Sequence, residues 1–538
     1  MLPSDAAATS QLSRRRFLEF LGRGTLAAVG LSALPLLEAC QRVPLAAPKP
    51  PRLFDPLAPA IEDRLRLVEG LNYREVLRWE QPLREGLQVG MHNDYLAFFP
   101  LPGTADEGLL WVNHEYITPA LLHRFGPAPK TRAQFDRERS EVGGSVVHVR
   151  KTAQGWQPVP GSERHQRVTA TTPLPFAWDV PIVGARQAIG TLGNCAGGVT
   201  PWGTVLTCEE NYDLFWGERQ SDGSRRSSLY GWENFENLPP EHYGWVVEID
   251  PATAQGKKLV ALGRCAHECA TVHPLPDGRC VVYTGDDKEN EFIYKFVSDQ
   301  PNDLSRGTLY VANTETGTWL PLVWADQPDL KARFKDQTEV LINLREAGRI
   351  LGATPQHRPE DIEIDPRTGH VFVSCTMNKS KADYTGHILR IDELGDYTSP
   401  SFRVERFLSG GPDTGFACPD NIAFDPRGGF WFTSDIAGYD IGTANFAPFG
   451  NNGLFYVPTE GPQAGEVLQV ASAPNDAEFT GPLFLDGGRT LLLSVQHPGE
   501  ESKAPEALTS HWPDGGTSYP RSCVVAISGP LLDTLAAV

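Results

Sequence analysis

The sequence has no excess of basic residues and very little methionine. Its 538 residues include 67 acidic and 48 basic side chains, for a formal net charge of −19. Nucleic-acid binding needs a basic face that displaces counterions from phosphates, so this balance argues against nucleic acid as a partner. Only three methionines stand beside 52 glycines and 45 prolines, and no long helical apolar stripe is present. This composition favours short strands and turns over helices.

Two common catalytic signatures are also missing. The sequence contains no Gly-x-Ser-x-Gly elbow and no Walker A loop, which argues against a serine nucleophile of that kind and against nucleotide-driven work. An acidic chain that handles an anionic substrate must take positive charge from elsewhere, and bound cations are the simplest source.

The N-terminus has the features of an export signal. Residues 13–18 read Ser-Arg-Arg-Arg-Phe-Leu, and small and apolar residues follow. This resembles a twin-arginine signal and predicts the twin-arginine translocase as a partner and a periplasmic or extracellular location. Residues 37–40, Leu-Glu-Ala-Cys, resemble a lipobox that would place a lipid anchor on Cys40. Plain cleavage nearby is the alternative, because Glu38 departs from the usual small or apolar residue.

Nine cysteines leave the disulfide state open. An exported protein favours disulfides, but the spacings fit no compact framework. Several of these residues are therefore expected to be buried free thiols.

A strand–turn–strand pattern recurs along the rest of the chain. Six copies lie at 93–115, 194–211, 267–287, 358–378, 418–435 and 477–500. Their turns use Asp-Pro-x-x-Gly, Pro-Asp-Gly or Asp-Gly-Gly, which suit tight reversals. The pattern predicts an all-β chain that folds as a six-bladed β-propeller with inserted loops and short helices. An irregular sandwich is the structural alternative.

The domain organisation follows from these signals. We expect a signal peptide over 1–39, a Pro-rich linker over 40–58 and the propeller over 59–538. The intervals between hairpins exceed a minimal blade, which predicts insertions near 120–150, 214–243 and 325–352. A closed ring needs no partner, so a monomer is expected.

Acidic residues recur at the same end of each predicted hairpin. The first strands begin near Asp94, Cys195, Glu268, Glu360, Asp420 and Glu478, and the second strands end near Glu115, Glu209, Glu210, Asp286, Asp287 and Asp435. In a propeller, these ends surround one mouth of the channel. Solvated strand ends are the simpler explanation for any one residue. For six hairpins in phase, bound cations are favoured, because uncompensated carboxylates would destabilise the fold. Carboxylate oxygens suit Ca²⁺, whereas the Cys195 thiolate suits iron or zinc.

Arg358 stands two residues before Glu360. On a strand this spacing puts both side chains on one face. A guanidinium beside a metal ring is a suitable fork for a phosphate or carboxylate, and a salt bridge to a neighbouring acid is the alternative.

Several motifs in series resemble the PhoX-type alkaline phosphatases. They are NHEY (113–116), NCAGGVTPWGTVLTCEEN (194–211), HEC (267–269), GDD (285–287), RPE (358–360) and QHPGE (496–500). The resemblance implies a six-bladed propeller with an iron–calcium cluster at the channel mouth. It also implies that phosphate monoesters are the substrates and are hydrolysed outside the cytoplasm.

The same resemblance implies roles for individual residues. Cys195, Glu268 and Glu360 would hold Fe³⁺, while Ca²⁺ would be held or bridged by Glu209, Glu210, Asp286, Asp287, Asp420 and Asp435. Arg358, Glu360 and Asn194 are assigned to catalysis. Two alternatives stay open: a calcium-dependent propeller lactonase or esterase, and a metal-stabilised scaffold without activity.

Overall fold

The computed structural model describes residues 52–126 and 128–537, and it is built mainly of strands. The twin-arginine segment, the lipobox with Cys40 and most of the predicted linker lie outside these residues. In the described ranges, six sheets follow one another along the chain as six blades, so the predicted propeller is confirmed.

Each blade is an antiparallel sheet that begins with one of the six predicted hairpins. Blade 1 contains Asn93–Pro100, Glu107–His114, Gly143–Thr152, Gly155–Pro158 and Gln166–Val168. Blade 2 contains Asn194–Val199, Val205–Glu209, Val246–Asp250 and Gln255–Lys258. Blade 3 contains Thr271–Pro274, Cys280–Gly285, Ile293–Gln300, Asp303–Asn313 and Thr318–Pro321. Blade 4 contains Pro359–Ile364, Val371–Cys375, His387–Glu393 and Phe402–Ser409. Blade 5 contains Pro419–Phe424, Phe430–Ser434, Gly453–Val457 and Leu468–Ser472. Blade 6 contains Glu478–Leu485, Thr490–Gln496 and Cys523–Ser528.

The turns within the hairpins follow from their sequences. In blades 4 and 5 the Asp-Pro-Arg turns are held by Asp365 and Asp425, whose carboxylates accept the backbone N–H of the residue two positions on, at 2.9 and 2.8 Å. Gly428 then takes a φ of 81°, a conformation that costs glycine nothing. These local bonds stabilise the reversal in the hairpins of blades 4 and 5.

The ring is closed by strands from near the start of the described chain. Asn72–Arg78 pairs with Cys523–Ser528 and completes blade 6, while Arg66–Leu67 pairs with Leu468–Ser472 at the edge of blade 5. The first strand of blade 6 contacts the first strand of blade 1, which closes the circle of inner strands. Closure covers the sheet edges that an open array would expose.

The longer insertions gather at one end of the propeller. In each blade, the connection from the second to the third strand leaves the end at which the first strand begins, and we call this end the mouth. Arg132–Glu141 is an insertion helix whose capping box joins Thr131 and Gln134.

The other helices are Pro119–Leu122, Asp213–Trp216, Pro328–Arg333, Gln337–Ile342, Leu344–Leu351 and Pro530–Ala537. Turns of 3₁₀ helix lie at Trp232–Asn234, Pro240–His242, Val260–Leu262, Lys379–Lys381 and Asp486–Gly488. Short two-stranded ribbons are Pro82–Arg84 with Leu87–Gln88, Pro173–Pro175 with Gln187–Ile189, and Glu218–Arg219 with Arg225–Arg226.

Aromatic residues from two mouth insertions form a separate core. Phe135, Phe215, Trp216 and Trp232 are fully buried against one another, with Phe135 and Trp232 rings 5.6 Å apart. The insertions near 214–243 and 325–352 form where the sequence predicts them. The one predicted at 120–150 ends earlier, because residues from Gly143 onward form the third strand of blade 1.

The described cysteines are free thiols, and all but Cys195 are buried. Among the described residues, no helix combines the length and apolar character that a membrane crossing requires.

Candidate metal centre

A β-bulge sits near the start of the first strand in blades 1 to 5. In blade 1, Asn93 pairs with His114 and Leu96 pairs with Val112. The first strand therefore has one more residue than the second between these two pairs. The same shift occurs at Asn194–Gly197, Pro359–Ile362 and Pro419–Ile422, and blade 3 has it after the His267–Asp286 bridge. Asp94, Cys195, Glu268, Glu360 and Asp420 lie within these bulges. A bulge re-aims a side chain, and here it turns each one toward the mouth.

These side chains join others into one group at the mouth, which we call the acid ring. Its members are Asp94, Glu115, Cys195, Glu210, Glu268, Asp287, Glu360, Asp420, Asp435 and Glu478. Ligand atoms of Cys195, Glu210 and Glu268 lie within 4.8 Å of one another, as do those of Glu268, Asp287 and Glu360. The ring draws residues from all six blades.

Burial and mutual repulsion disfavour negative charge in the ring. Burial raises the pKa of Glu268 well above its ordinary value, and repulsion by Glu360 and Asp420 adds to the rise. The pKa values of Glu360 and Glu478 are raised in the same way. Without added positive charge, these groups would hold protons at pH values where free carboxyls have lost them.

Arg358 supplies part of the positive charge. Its Nε and Nη2 donate to the two Asp287 oxygens at 2.8 Å each, and Nη2 lies 2.9 Å from Glu360 Oε1 and 3.4 Å from Asp435 Oδ2. Burial raises the pKa of Asp287, but contact with Arg358 outweighs it and lowers that pKa to about 2. The structure corrects the reason for this contact. Arg358 precedes the strand with a φ of 53°, so its position does not come from strand alternation.

Neutral amides bridge other members of the ring. Gln496 Nε2 donates to Asp94 at 2.7 Å and to Glu115 at 3.0 Å. Asn421 Nδ2 donates to Asp420 at 2.9 Å. These donors hold carboxylates in place without neutralising them.

Several buried oxygens of the ring have no hydrogen-bond partner. They include Asp94 Oδ1, Glu210 Oε1 and Glu478 Oε2. A buried oxygen without a hydrogen-bond partner lowers the stability of the fold. Several such oxygens, on carboxylates that face one another, are suitable ligand atoms for bound cations. The donor set therefore fits several hard cations.

Cys195 is the one thiol in the ring. Its Sγ donates to Glu268 Oε1 at 3.2 Å, and the side chain is partly exposed. Burial, together with Asp94 and Glu268, raises its pKa well above the ordinary thiol value. A thiolate at this place needs a cation beside it, and iron or zinc is the kind of cation that thiolates select.

Two residues predicted as ligands lie elsewhere. Glu209 is fully buried against Lys258, with Nζ at 2.6 Å from Oε1, and its other oxygen accepts the backbone N–H of Gly244 at 2.9 Å. Asp286 is bound by Arg345, whose Nε lies 2.8 Å from Oδ2. In both adjacent pairs, Glu209–Glu210 and Asp286–Asp287, the first residue faces away from the ring and only the second joins it.

Asn194, predicted as catalytic, is also turned away from the ring. Its Nδ2 donates to the hydroxyls of Thr191 and Thr207 at 2.8 and 2.9 Å. These contacts fix the strand immediately before the Cys195 bulge, which is a positioning role.

Glu115 and Glu478 belong to the ring although no role was assigned to them from the family motifs. The strand-end pattern itself contained the signal, since both residues recur in phase with the other acids. Lys288 was not identified from the sequence; its Nζ donates to Asn211 at 3.1 Å, and Asn211 in turn donates to Glu115 at 3.0 Å.

Comparisons with known proteins give a consistent result. The model of a family described as alkaline phosphatase PhoX matches residues 52–499. A structure of Pseudomonas fluorescens PhoX in complex with vanadate, a transition state analogue, superposes with a TM-score of 0.80 at 29% identity, covering 89% of this chain and 98% of that one. A Dyadobacter fermentans protein of unknown function aligns at 10% identity with a TM-score of 0.35, over 86% of this chain and 100% of its own. No curated protein sequence matches the chain.

Proposed function

The chain belongs to the PhoX family of alkaline phosphatases and is a hydrolase of phosphoric monoesters, and from this premise we propose that it works outside the cytoplasm with an iron–calcium cluster in the acid ring. The observation that carries the proposal is the convergence of nine carboxylates and one thiol beside Arg358 at a single mouth. The Pseudomonas fluorescens relative in complex with vanadate, a transition state analogue, supports phosphoryl chemistry at such a site.

The donor set contains one thiol among nine carboxylates. We assign Fe³⁺ to the neighbourhood of Cys195, Glu268 and Glu360, because the thiol lies there. Ca²⁺ is assigned to other carboxylates of the ring, Glu210, Asp287, Asp420 and Asp435, of which Glu210 and Asp287 also lie beside the residues assigned to Fe³⁺. Bound cations would neutralise the phosphate dianion and the charge that develops on its oxygens.

Arg358 is the residue of this chain that we assign to binding the phosphoryl group. Its planar fork suits two phosphate oxygens, and its side chain keeps a 20% exposed fraction at the mouth. Thr376 donates from Oγ1 to Glu360 Oε1 at 2.7 Å and orients that carboxylate. Export by the twin-arginine translocase, a lipid anchor at Cys40 and a monomeric state are further parts of the proposal, supported by the N-terminal sequence and the closed ring.

The test is elemental analysis of the natively exported protein, with p-nitrophenyl phosphate turnover measured on the same sample. Iron and calcium together, with turnover lost on chelation and restored by the two metals, are the expected result. Calcium without iron, or turnover that survives complete metal removal, would contradict the proposed cluster. Lactone hydrolysis in preference to phosphate esters would instead favour a calcium-dependent lactonase.

A further inference from the structure

A second group of metal-ligating side chains lies outside the acid ring, in blade 4. His357 Nδ1 is 2.7 Å from Asp383 Oδ2, and His387 Nδ1 is 3.7 Å from the same oxygen. One ligand atom from each of the three residues lies within 4.8 Å of the others. Two imidazoles thus converge on one carboxylate oxygen.

The strand arrangement of blade 4 brings these residues together. His357 comes just before the first strand, and His387 is the first residue of the third strand. Asp383 lies in the connection between the second and third strands. All three are at the mouth end, and the group lies outward from Glu360 in the same blade.

The cluster contains a buried nitrogen without a partner. His387 is 4% exposed, and its Nδ1 makes no hydrogen bond, because 3.7 Å to Asp383 is too long for one. Asp383 is held from its other side, where Oδ1 accepts the backbone N–H of Gly386 at 3.0 Å. The turn thus presents Oδ2, which is hydrogen-bonded to His357 Nδ1, to both imidazoles, and the 3.7 Å between His387 Nδ1 and Oδ2 is long enough for one ion to bind both atoms.

A cavity of about 230 Å³ opens beside the histidines. His357, His387, Gln356, Glu405 and Arg406 help to line it. This space gives a hydrated cation access to the two histidines. Glu405 favours a cation there, whereas Arg406 opposes one, so we expect moderate affinity.

We propose that His357, Asp383 and His387 bind one divalent transition-metal ion, Zn²⁺ being the best match, at a site separate from the acid ring. Two imidazoles and one carboxylate with an open fourth position suit Zn²⁺, whereas Ca²⁺ prefers oxygen ligands alone. His357 adjoins Arg358, which has a positive φ. An ion bound here therefore holds the backbone next to the guanidinium at the mouth.

The test measures Zn²⁺ uptake by the purified holoenzyme, using equilibrium dialysis against Zn²⁺ followed by elemental analysis. We expect one equivalent of zinc beyond the metals already bound, with two imidazole nitrogens in its X-ray absorption spectrum. His357→Gln and His387→Gln should each weaken this uptake at least 10-fold. Their circular dichroism and iron and calcium content should match those of the parent protein.

The control is His370→Gln. His370 lies in the same blade and 3.4 Å from Asp392, but it belongs to no three-residue ligand group among the described residues. It should take up zinc like the parent. The proposal is wrong if the parent binds no additional equivalent, or if the His357→Gln/His387→Gln double variant binds it equally well. Because His357 is partly exposed, its single variant tests the site even if His387→Gln fails to fold. The readout is independent of phosphatase activity.

Discussion

At the scale of single residues, adjacent acids in this chain have opposite roles. Glu209 neutralises the buried Lys258, whereas Glu210 carries an unpartnered oxygen in the acid ring. The strand-end pattern predicted that acids gather here but could not say which of the two faces the mouth. That choice depends on the Lys258 ion pair, which comes from a strand about fifty residues further along the chain.

Glu209→Gln and Glu210→Gln should therefore separate stability from metal binding. Glu209→Gln leaves the Lys258 charge buried without its counterion and should lower the free energy of unfolding by about 3–5 kcal/mol. Glu210→Gln removes a carboxylate that Asp287 and Glu115 repel, so it should not destabilise the fold in this way. It should instead lower the metal content, because a charged candidate ligand is lost. Urea unfolding and elemental analysis of both proteins test this. Equal metal loss in the two variants would contradict the assignment.

Arg358→Lys should impair phosphate binding while keeping a positive charge. Lysine cannot reproduce the planar contact that Arg358 makes with Asp287, nor grip two phosphate oxygens. We expect kcat/KM for p-nitrophenyl phosphate to fall by about 100-fold, with a weaker inhibition by inorganic phosphate. Unchanged phosphate inhibition would argue that Arg358 is only a partner of the ring acids.

At the scale of elements, the hairpins could be predicted and the bulges could not. Turn residues and alternating apolar positions fix each hairpin locally, so all six are identifiable from the sequence. A bulge has a weaker sequence signal: Gly197 follows Cys195 and Pro359 precedes Glu360, and such residues occur at bulges but do not specify the register. The bulge itself is visible in the strand register, where the extra residue turns the Cys195 or Glu360 side chain toward the mouth.

Close packing between blades also fixes the position of an acid-ring carboxylate. Gly285 ends the second strand of blade 3, and a Cβ built there would lie 2.2 Å from the Pro359 carbonyl oxygen and 2.4 Å from that of Glu360. A methyl group at this position must push the backbone that carries Glu360. The absence of a side chain at Gly285 thus sets the distance between two blades.

Gly285→Ala should therefore disturb the metal centre from the neighbouring blade. We expect a loss of about 1–3 kcal/mol of stability from overpacking, together with lower metal content and turnover. Gly438→Ala is the control, because its added Cβ would meet Asp476 Cβ and Glu501 Cγ at 3.2 Å, a much milder contact than the 2.2 Å at Gly285. Thermal unfolding and elemental analysis distinguish the two. Normal metal content in Gly285→Ala would contradict the argument.

At the scale of the whole molecule, we expect the ring of carboxylates to make stability depend on cations and pH. Several acids have pKa values raised in the folded state by burial and repulsion, among them Asp94, Glu268 and Asp420. Such groups bind more protons in the folded state than in the unfolded state. Their contribution to the free energy of unfolding is therefore fully present at low pH and is lost as the pH rises. The pKa of Asp287 is lowered to about 2, so this residue adds to the free energy of unfolding as the pH rises. Its contribution is fully present above pH 4 and does not change at higher pH.

The metal-depleted protein should accordingly lose stability as the pH rises above the ordinary carboxyl range near 4. The metal-loaded protein should show a flatter profile, because cations offset the repulsion. Thermal unfolding across pH 4–9, with and without a chelator, tests this expectation. If the two profiles keep a constant separation over that range, the acid ring does not control the stability of the molecule.

The strand that closes the ring has a consequence for the order of biosynthesis. Asn72–Arg78 is among the first described segments to leave the ribosome, but its partner Cys523–Ser528 is made near the end. Blade 6 therefore cannot be completed until almost all of the chain has been translated. Since blade 6 supplies Glu478 to the mouth, the acid ring is complete only after almost all of the chain has been translated.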